Sequence, residues 1–567
     1  MTAGWRLYLV WLLLIAAVVL VAVKVVSLHV LQSDFLREQG DARTVRTEPL
    51  VAHRGMITDR NGEPLAISSP VKSLWLNPQE IAGRDDDIRR LAAAMELDAG
   101  ELSARIAMNA EREFIYLQRR LPPARADRVL ALGVPGVYAR QEYQRYYPQG
   151  EVAAHLVGFS NIDDVGQEGI ELAFDEWLQG IPGRKQVIKD RRGRIVRELN
   201  TIETAQPGKT LELSIDFRLQ SLAYRELKEA YIHRGARSAT AVVLDVESGE
   251  VLAMVNQPSF NPNNRGGLSD FGALRNRAMT DQFEPGSTIK AFTAVAALES
   301  GRYTPETIID TSPGRIRVGR DYVSDRGRDY GELTLEQVLV KSSNVGTSRI
   351  ALDIGHEPLR DVLQRVGFGE GTATGFPGEQ AGTLPNHRVW HDIEVATLSF
   401  GYGLSTSALK LAQAYSVIAS DGVRKPVTLL KDGGGMINSE YAQQVIDKDV
   451  TRQVKSILEA VVDPDKGGFE AASVPFYSVA GKTGTARVVG AGGYEDELHN
   501  SMFAGYAPAD DPEIVVVVII NEPQGGQHYG SEVAAPVFSR IAAGAMRILG
   551  VRPDRANAAD TVQLSAR

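Results

Sequence analysis

The sequence predicts an α+β protein carried on one apolar N-terminal helix. Three observations lead there. Leu7–Val23 is an unbroken apolar run that resumes after Lys24 with Val25 and Val26. Two pairs of strand-like runs, Ala239–Leu244 with Val251–Val255 and Ser501–Tyr506 with Ile514–Ile520, stand at opposite ends of a long segment. The stretch between them has helical apolar spacing and glycine-rich connections. A sheet built from both ends of one segment, with helices inserted between, accounts for that order.

In chain order, residues 1–6 form a short tail on the cytoplasmic side and 7–27 a transmembrane anchor. The run is long enough to cross a bilayer, and Lys24 can snorkel to the interface. No small-residue cleavage site follows it, so the helix is expected to stay attached, with the bulk of the chain outside. Residues 28–230 form a mixed, extended α/β module with no evident nucleophile. Its turns are Asp59-Arg-Asn-Gly62, Tyr147-Pro-Gln-Gly150, Ile181-Pro-Gly183 and Arg191-Arg-Gly193. Phe114–Leu117 and Gln186–Ile188 look like strands, Asp87–Met95 and Glu171–Leu178 like helices. Arg54, Arg60, Arg112, Arg140 and Arg145 are expected in structural ion pairs or on a solvated face. Asp216–His233 is a helix leading into a second domain, 235–550. Glu247-Ser-Gly-Glu250 turns its first hairpin, Val537–Leu549 closes it, and residues 554–567 form a disordered tail.

Composition excludes several classes. The 567 residues carry a net charge of −9, which argues against nucleic acid as a partner. There is no cysteine, hence no disulfide framework and no thiolate metal site. His387 and His391 have i, i+4 spacing, but Pro385 and Asn386 suggest a loop and no third ligand is near. Neither a metal nor a cofactor is expected.

The chemistry centres on Glu284-Pro-Gly-Ser287-Thr-Ile-Lys290. Pro285 and Gly286 break the preceding chain. Ile289, Phe292, Val295 and Leu298 then recur with helical spacing up to Gly301. Ser287 therefore stands at a helix N-terminus with Lys290 on the same face, and a hydroxyl beside an amine there can make an activated nucleophile. Ser-x-x-Lys alone is weak evidence. It recurs at Ser69–Lys72, which contains Pro70 and looks like a loop, and at Ser407–Lys410, which looks like a surface pair on a helix. Two further motifs strengthen the first. Ser342-Ser343-Asn344 follows a helical stretch, Leu335–Lys341. Lys482-Thr483-Gly484-Thr485 lies in a strand-like stretch, Tyr477–Val489.

The ordered triplet Ser-x-x-Lys, Ser-x-Asn, Lys-Thr-Gly resembles that of the penicillin-binding proteins and serine β-lactamases. The resemblance covers nearly the whole chain. His53-Arg-Gly-Met-Ile-Thr-Asp-Arg-Asn-Gly-Glu-Pro-Leu-Ala66, Arg145-Tyr-Tyr-Pro148 and Gly169-Ile-Glu-Leu-Ala-Phe-Asp175 are similar to parts of the non-catalytic pedestal of class B members. Asp281–Ser287, Lys341–Gly346, Gly401-Tyr-Gly-Leu404 and Ala480–Ala486 are similar to their transpeptidase domain, an antiparallel sheet flanked by helices. Phe376-Pro-Gly378 and Leu384-Pro-Asn-His387 most resemble the division-specific, septal type.

The resemblance implies a D,D-transpeptidase that cross-links peptidoglycan stem peptides and is acylated by β-lactams. Ser287 would attack the penultimate D-alanine carbonyl, and Lys290 would act as base if held neutral by burial and by Lys482. Ser342 would relay a proton, Asn344 would bind the peptide backbone, and Lys482, Thr483, Gly484 and Thr485 would hold the terminal carboxylate. The N–H groups of Ser287 and Thr485 would stabilise the oxyanion. Tyr402, His499, His528 and Tyr529 are candidates for the rim. A β-lactamase is disfavoured, because Ser343 stands where class A enzymes have Asp and no Glu-x-x-Leu-Asn follows. A D,D-carboxypeptidase remains an alternative. A non-catalytic penicillin sensor is a weaker one, since only about six residues precede the anchor. The implied setting is the inner membrane at the division septum, with the catalytic domain in the periplasm. The implied partners are a lipid-linked glycan polymerase of the shape, elongation and division type and other division proteins.

Overall fold

The computed structural model describes residues 4–34, 45–189, 195–268, 270–435, 441–490 and 493–555. They form two compact units. One comprises residues up to 54, 70–142 and 179–208, the other 55–69, 143–178 and everything from 209 onward. The expected module at 28–230 is thus divided between the two.

In the first unit, helix α1 (Gly4–Val26) has no buried residue, and its axis continues through a π-helical turn at Ser27–Leu31. At 1.5 Å per residue its 23 residues span about 35 Å, enough for a hydrocarbon core of about 30 Å. A helix this apolar with no protein face to bury is suited to lipid. It starts at Gly4, within the expected tail, and residues 1–3 lie outside the described set. Beyond α1, Val45–Leu50, Gly183–Lys189 and Ile195–Glu203 form a three-stranded antiparallel sheet. A separate core of Leu74, Leu76, Leu91, Leu102, Ile106 and Val129 joins the strand at Ile115–Leu121 to helices Asp85–Met95, Ala99–Met108 and Pro123–Leu130. The Ser69–Lys72 motif is not a loop. It runs within the strand Pro64–Leu76, where Pro70 is exposed and the buried Val71 continues the inward pattern.

The second unit is built on five antiparallel strands: β1 (Ser238–Asp245), β2 (Val251–Gln257), β3 (Ala480–Gly490), β4 (Gly493–Ala507) and β5 (Ile514–Asn521), in the order β2-β1-β5-β4-β3. Both faces are covered, which is why β1 and β5 are continuously apolar rather than alternating. Val242, Leu244, Val515 and Val517 pack against Phe292 and Val295 of α3 (Lys290–Glu299) and Leu411 of α5 (Ala408–Ala419). On the other face Ala241, Val243, Val516 and Val518 meet Leu227 of α2 (Phe217–His233) and Phe538 and Ile541 of α6 (Ala535–Leu549). Asp216 caps α2 by accepting from the Arg218 N–H at 2.9 Å. Helix α4 (Asn344–Ile354) is capped by Ser343.

Three elements differ from expectation. Strand β4 starts at Gly493 rather than Ser501, because β3 and β4 pair again beyond a register shift at Arg487/Val488, as far as Gly490 with Gly493. The predicted helix at Glu171–Leu178 breaks into Gly169–Ala173 and Asp175–Leu178, with Phe174 between them. Glu171 there is buried and ion-paired with Arg145 at 2.6 Å. At the C-terminus the chain is anchored through Arg555: Asp554 accepts from the Ser478 N–H at 2.8 Å and Arg555 donates to Glu459 at 2.6 Å. The rest of the expected tail, 556–567, lies outside the described residues.

Candidate active site

The three motifs converge on one cleft of about 420 Å³, lined by Ser287, Ser342, Asn344, Tyr402, Thr483, Thr485 and Tyr529 among others. Ser287 sits on a single 3₁₀ turn, Gly286–Ile289, that runs straight into α3. Two close approaches fix this turn. The Gly286 N–H donates to the Gly401 carbonyl at 3.1 Å. Gly401 has φ +86°, and a Cβ on it would lie 2.1 Å from the Gly286 oxygen. Gly484 of β3 serves the other side, where a Cβ would lie 2.9 Å from the Pro285 oxygen and 2.4 Å from Met502 Cγ. Any larger residue at either position would push the serine turn away from the strand.

Lys290, one turn into the helix, is fully buried. Its Nζ donates to the Ser342 carbonyl at 2.6 Å and to Asn344 Oδ1 at 2.7 Å, and Ser342 Oγ is 3.4 Å away. Burial and then the charge of Lys482 hold its pKa well below that of an ordinary lysine. A neutral amine has two N–H groups and one lone pair. The two short contacts occupy the N–H groups, leaving the lone pair for a hydroxyl proton.

Lys482 enters from β3. It is 1% exposed, and burial lowers its pKa to about 7. Its Nζ donates to Ser342 Oγ at 3.1 Å and lies 3.4 Å from Thr483 Oγ1. Ser342 Oγ thus stands between the two amines. Ser342 itself has φ +56°, a left-handed conformation uncommon for a residue other than glycine, and the fold holds it there. Strand β3 is an edge strand. Among the described residues its outer edge meets no partner strand, which leaves a template for an extended peptide.

The residue that sequence reasoning missed is Asp325. It is buried, and its carboxylate accepts from Ser343 Oγ and the Asn344 N–H, both at 2.6 Å, and from the Val345 N–H at 3.0 Å. One carboxylate at the start of α4 therefore locks the Ser-Ser-Asn turn. Arg326, Arg328, Tyr330, Lys341 and Phe400 also line the cleft and were not singled out. Only the charged run Asp325-Arg326-Gly-Arg328 could have drawn attention.

The rim candidates separate. Tyr402 and Tyr529 line the cleft; Tyr402 is in edge contact with Tyr494, and the Arg326 guanidinium lies 5.3 Å from the Tyr529 ring centre. His499 and His528 stack on each other at 4.2 Å, and His528 lies against Tyr529 at 4.5 Å, so the pair stands behind the lining. Burial and then His528 lower the His499 pKa. Thr485 Oγ1 accepts from the Gly530 N–H at 3.1 Å, which ties β3 to the loop carrying Tyr529.

The remaining motifs stay apart from this cleft. Lys410 is fully buried and not on a helix surface. It donates to Gln413 Oε1 at 2.8 Å, and burial, with Arg424 nearby, lowers its pKa to about 8. His391 caps the helix Asp392–Leu398, and His387 lies 3.9 Å from Glu394. Among the described residues no group of His, Cys, Asp and Glu could hold a metal ion.

Comparison with known proteins gives a consistent picture. Residues 239–543 match the model of the penicillin-binding protein transpeptidase domain and 49–213 that of the penicillin-binding protein dimerisation domain. The chain is 43% identical over 551 residues to a probable peptidoglycan D,D-transpeptidase, PbpC, of Pseudomonas aeruginosa, covering 97% of this chain and 96% of that protein. It is 43% identical over 562 residues to the peptidoglycan D,D-transpeptidase FtsI of Escherichia coli, covering 98% and 94%. Its fold superposes on penicillin-binding protein 3 of Mycobacterium tuberculosis in complex with aztreonam, with TM-score 0.67, 28% identity and coverage of 90% and 98%.

Proposed function

The chain belongs to the FtsI-type class B penicillin-binding proteins, which are serine peptidoglycan D,D-transpeptidases, and from that premise we propose that Ser287 is the acylated nucleophile of a septal cross-linking enzyme. The observation that carries this is the chain of contacts Lys290–Ser342–Lys482 in the cleft that Ser287 lines. The neutral Lys290 amine takes the Ser287 proton as Oγ attacks the penultimate D-alanine carbonyl of a donor stem. Ser342, between the two amines, passes a proton to the departing D-alanine. Lys482, Thr483 and Thr485 bind the terminal carboxylate, and Gly484 lets the strand approach the nucleophile. The Ser287 and Thr485 N–H groups stabilise the oxyanion, each donor contributing about 3–4 kcal/mol. Asn344 turns from Lys290 to the bound peptide backbone. An amine of a neighbouring stem then takes the acyl group.

The same cleft accepts β-lactams in place of the D-alanyl-D-alanine end, a reading supported by the aztreonam complex of the mycobacterial relative. Helix α1 anchors the chain once in the inner membrane, with the chain beyond it on the periplasmic side. A lipid-linked glycan polymerase and other division proteins are the partners this setting calls for. The reading is tested by labelling with a fluorescent penicillin and locating the adduct by mass spectrometry. The label is expected on Ser287 and is expected to persist for many minutes. A label on Ser69 or Ser407, or one retained in Ser287→Ala, refutes the assignment; rapid turnover points to a β-lactamase.

A further inference from the structure

The chemistry above leaves one side of the cleft without a task. Arg326, Arg328 and Lys341 line it together, and all three are exposed. Asp325 is the one carboxylate among the described residues lining that cleft, and it is committed to Ser343, Asn344 and Val345. Among the described residues the nearest acceptors of the other two cations are neutral: Arg328 donates to the Tyr330 hydroxyl and Lys341 to the Gly467 carbonyl, both at 3.4 Å.

The backbone fixes where Arg326 stands. The turn 325–328 closes through the Arg328 N–H, which donates to the Asp325 carbonyl at 3.2 Å, and the Asp325 N–H donates to the Gly314 carbonyl at 2.9 Å. Both central residues have positive φ, +57° at Arg326 and +80° at Gly327. That conformation is unfavourable for an arginine, and the buried Asp325 beside it holds the turn in place. The guanidinium lies 5.3 Å from the centre of the Tyr529 ring, which also lines the cleft. His528 stands against Tyr529 at 4.5 Å, and His499 stacks on His528. Burial is the largest influence on the pKa values of Lys290, Tyr402 and His499, and the Arg326 charge acts on all three, so it is felt across the cleft.

A guanidinium on an aromatic ring, flanked by cations and facing no carboxylate, suits an anion with planar oxygens. The donor's terminal carboxylate is already assigned to Lys482, Thr483 and Thr485. That anchor is also temporary. The last D-alanine departs as the acyl-enzyme forms, and its carboxylate goes with it. A donor that stays oriented until an amine arrives requires a second anchor on the part that remains.

We infer that Arg326, flanked by Arg328 and Lys341, is the subsite for a second carboxylate of the donor stem, carried on the segment that precedes the two D-alanines. The inference rests on the transpeptidase reading and adds a substrate class to it: donor stems whose upstream carboxylate is free, in preference to stems in which it is amidated.

The test uses the full-length chain and two peptidyl thioester donors. They are identical except that the residue before the alanyl thioester bears a side-chain carboxylate in one and a carboxamide in the other. The second-order rate constant for acylation of Ser287 is measured for each. The wild type is expected to prefer the carboxylate donor about tenfold, and Arg326→Gln to reduce that preference to about twofold. Arg326→Lys, which keeps the charge and loses the fork, should retain a preference of about fourfold. Any influence of Arg326 on Lys290 acts on both donors alike and cancels in the ratio. A wild-type ratio near one overturns the inference. So does a ratio that survives in Arg326→Gln, and so does an equal slowing of both donors, which assigns the arginine to the common acylation step. Should Arg326→Gln lose penicillin labelling altogether, Arg328→Gln with Lys341→Gln decides from the flanks: a preference at least halved supports the subsite, and an unchanged one removes it. A wild type acylated by neither donor fails as a transpeptidase, whereas one acylated by both at equal rates fails this subsite alone.

Discussion

Two serine–lysine pairs with the same spacing sit in the same unit, and both lysines are fully buried. Lys290 is faced by a second lysine across a shared serine hydroxyl, and its neighbourhood opens into a cleft. Lys410 is held by Gln413 and the Gly371 carbonyl, with Arg424, Glu379 and Glu370 around it. Burial lowers both pKa values, so burial alone does not make a catalytic base. What separates the two is a hydroxyl in reach of the lone pair and a route for substrate.

Breaking the first pair has the largest expected effect. Lys290→Met should slow acylation of Ser287 by on the order of 10⁴-fold, read as the second-order rate constant for a fluorescent penicillin. The matching change in the second pair, Ser407→Ala, should leave that rate within about twofold. It removes the cap on the Lys410 N–H and costs about 1 kcal/mol of stability in a urea melt.

The next effect sharpens the comparison through pH. Burial lowers the Lys410 pKa to about 8 in the folded chain, against 10.5 for an ordinary lysine. Between those values the unfolded chain binds more protons, so stability rises with pH across the window and the full penalty applies below about pH 8. The rise due to Lys410 is roughly 3 kcal/mol. In Lys410→Met, urea melts from pH 7.5 to 10.5 should lack that part of the slope. An identical slope in both proteins would mean that Lys410 is not desolvated as its burial indicates.

Asp325→Asn comes third. It replaces a carboxylate that accepts three hydrogen bonds with an amide whose single oxygen cannot serve them all. Loss of one charge-assisted bond, about 1.5–3 kcal/mol, should loosen the Ser342–Asn344 turn and slow acylation at least tenfold. The check is a stopped-flow acylation trace beside a thermal melt, and a change in melting alone would mean that Asp325 only stabilises the fold.

The smallest effect concerns the histidine pair. Burial and then the stacked His528 ring lower the His499 pKa, so charging this ring is disfavoured where the two stack. His499→Tyr with His528→Tyr should alter the acylation rate by less than about threefold, and only below about pH 6.5. Superimposable profiles from pH 5 to 7 would remove the pair from the active-site account.

These residues also mark how far the sequence could be read. Ser287, Lys290 and Lys482 were legible because their spacing and the punctuation around them, Pro285–Gly286 and Gly484, are local. Asp325 was not, because it meets Ser343 only after the hairpin Arg315–Val318 with Asp321–Ser324 has folded, and nothing local to Asp325 encodes that. Lys410 was misread although its neighbours carried a signal. Every residue of α5 is buried, and a helix apolar on all sides is a core helix whose lysine has no solvent face. Ser69–Lys72 was misread because Pro70 suggested a break, whereas Val71 with Ser73 and, beyond a register shift, Leu74 with Leu76 are buried at the two-residue spacing of a strand. The sheet was legible at both ends because β1 and β5 are strongly apolar. The extent of β4 was not, since its polar first half has no periodic pattern and is defined by pairing with β3.

The strand order has a consequence for biogenesis. Ser238 opens the sheet and Asn521 completes its central pair, and the two side chains meet across 283 positions of sequence at 3.3 Å. No local subset of the unit can close this sheet. During synthesis, β1 and β2 emerge early, with unpaired edges and apolar faces exposed, and must wait until β5 has also emerged. At synthesis rates of about 5–20 residues per second that wait lasts tens of seconds. Pairing so distant in sequence is slow to nucleate, and an unpaired apolar edge invites association with other chains. Truncation anywhere between Ser342 and Asn521 should therefore leave an aggregating fragment rather than a smaller enzyme, even though Ser287, Lys290 and Ser342 all precede such a cut.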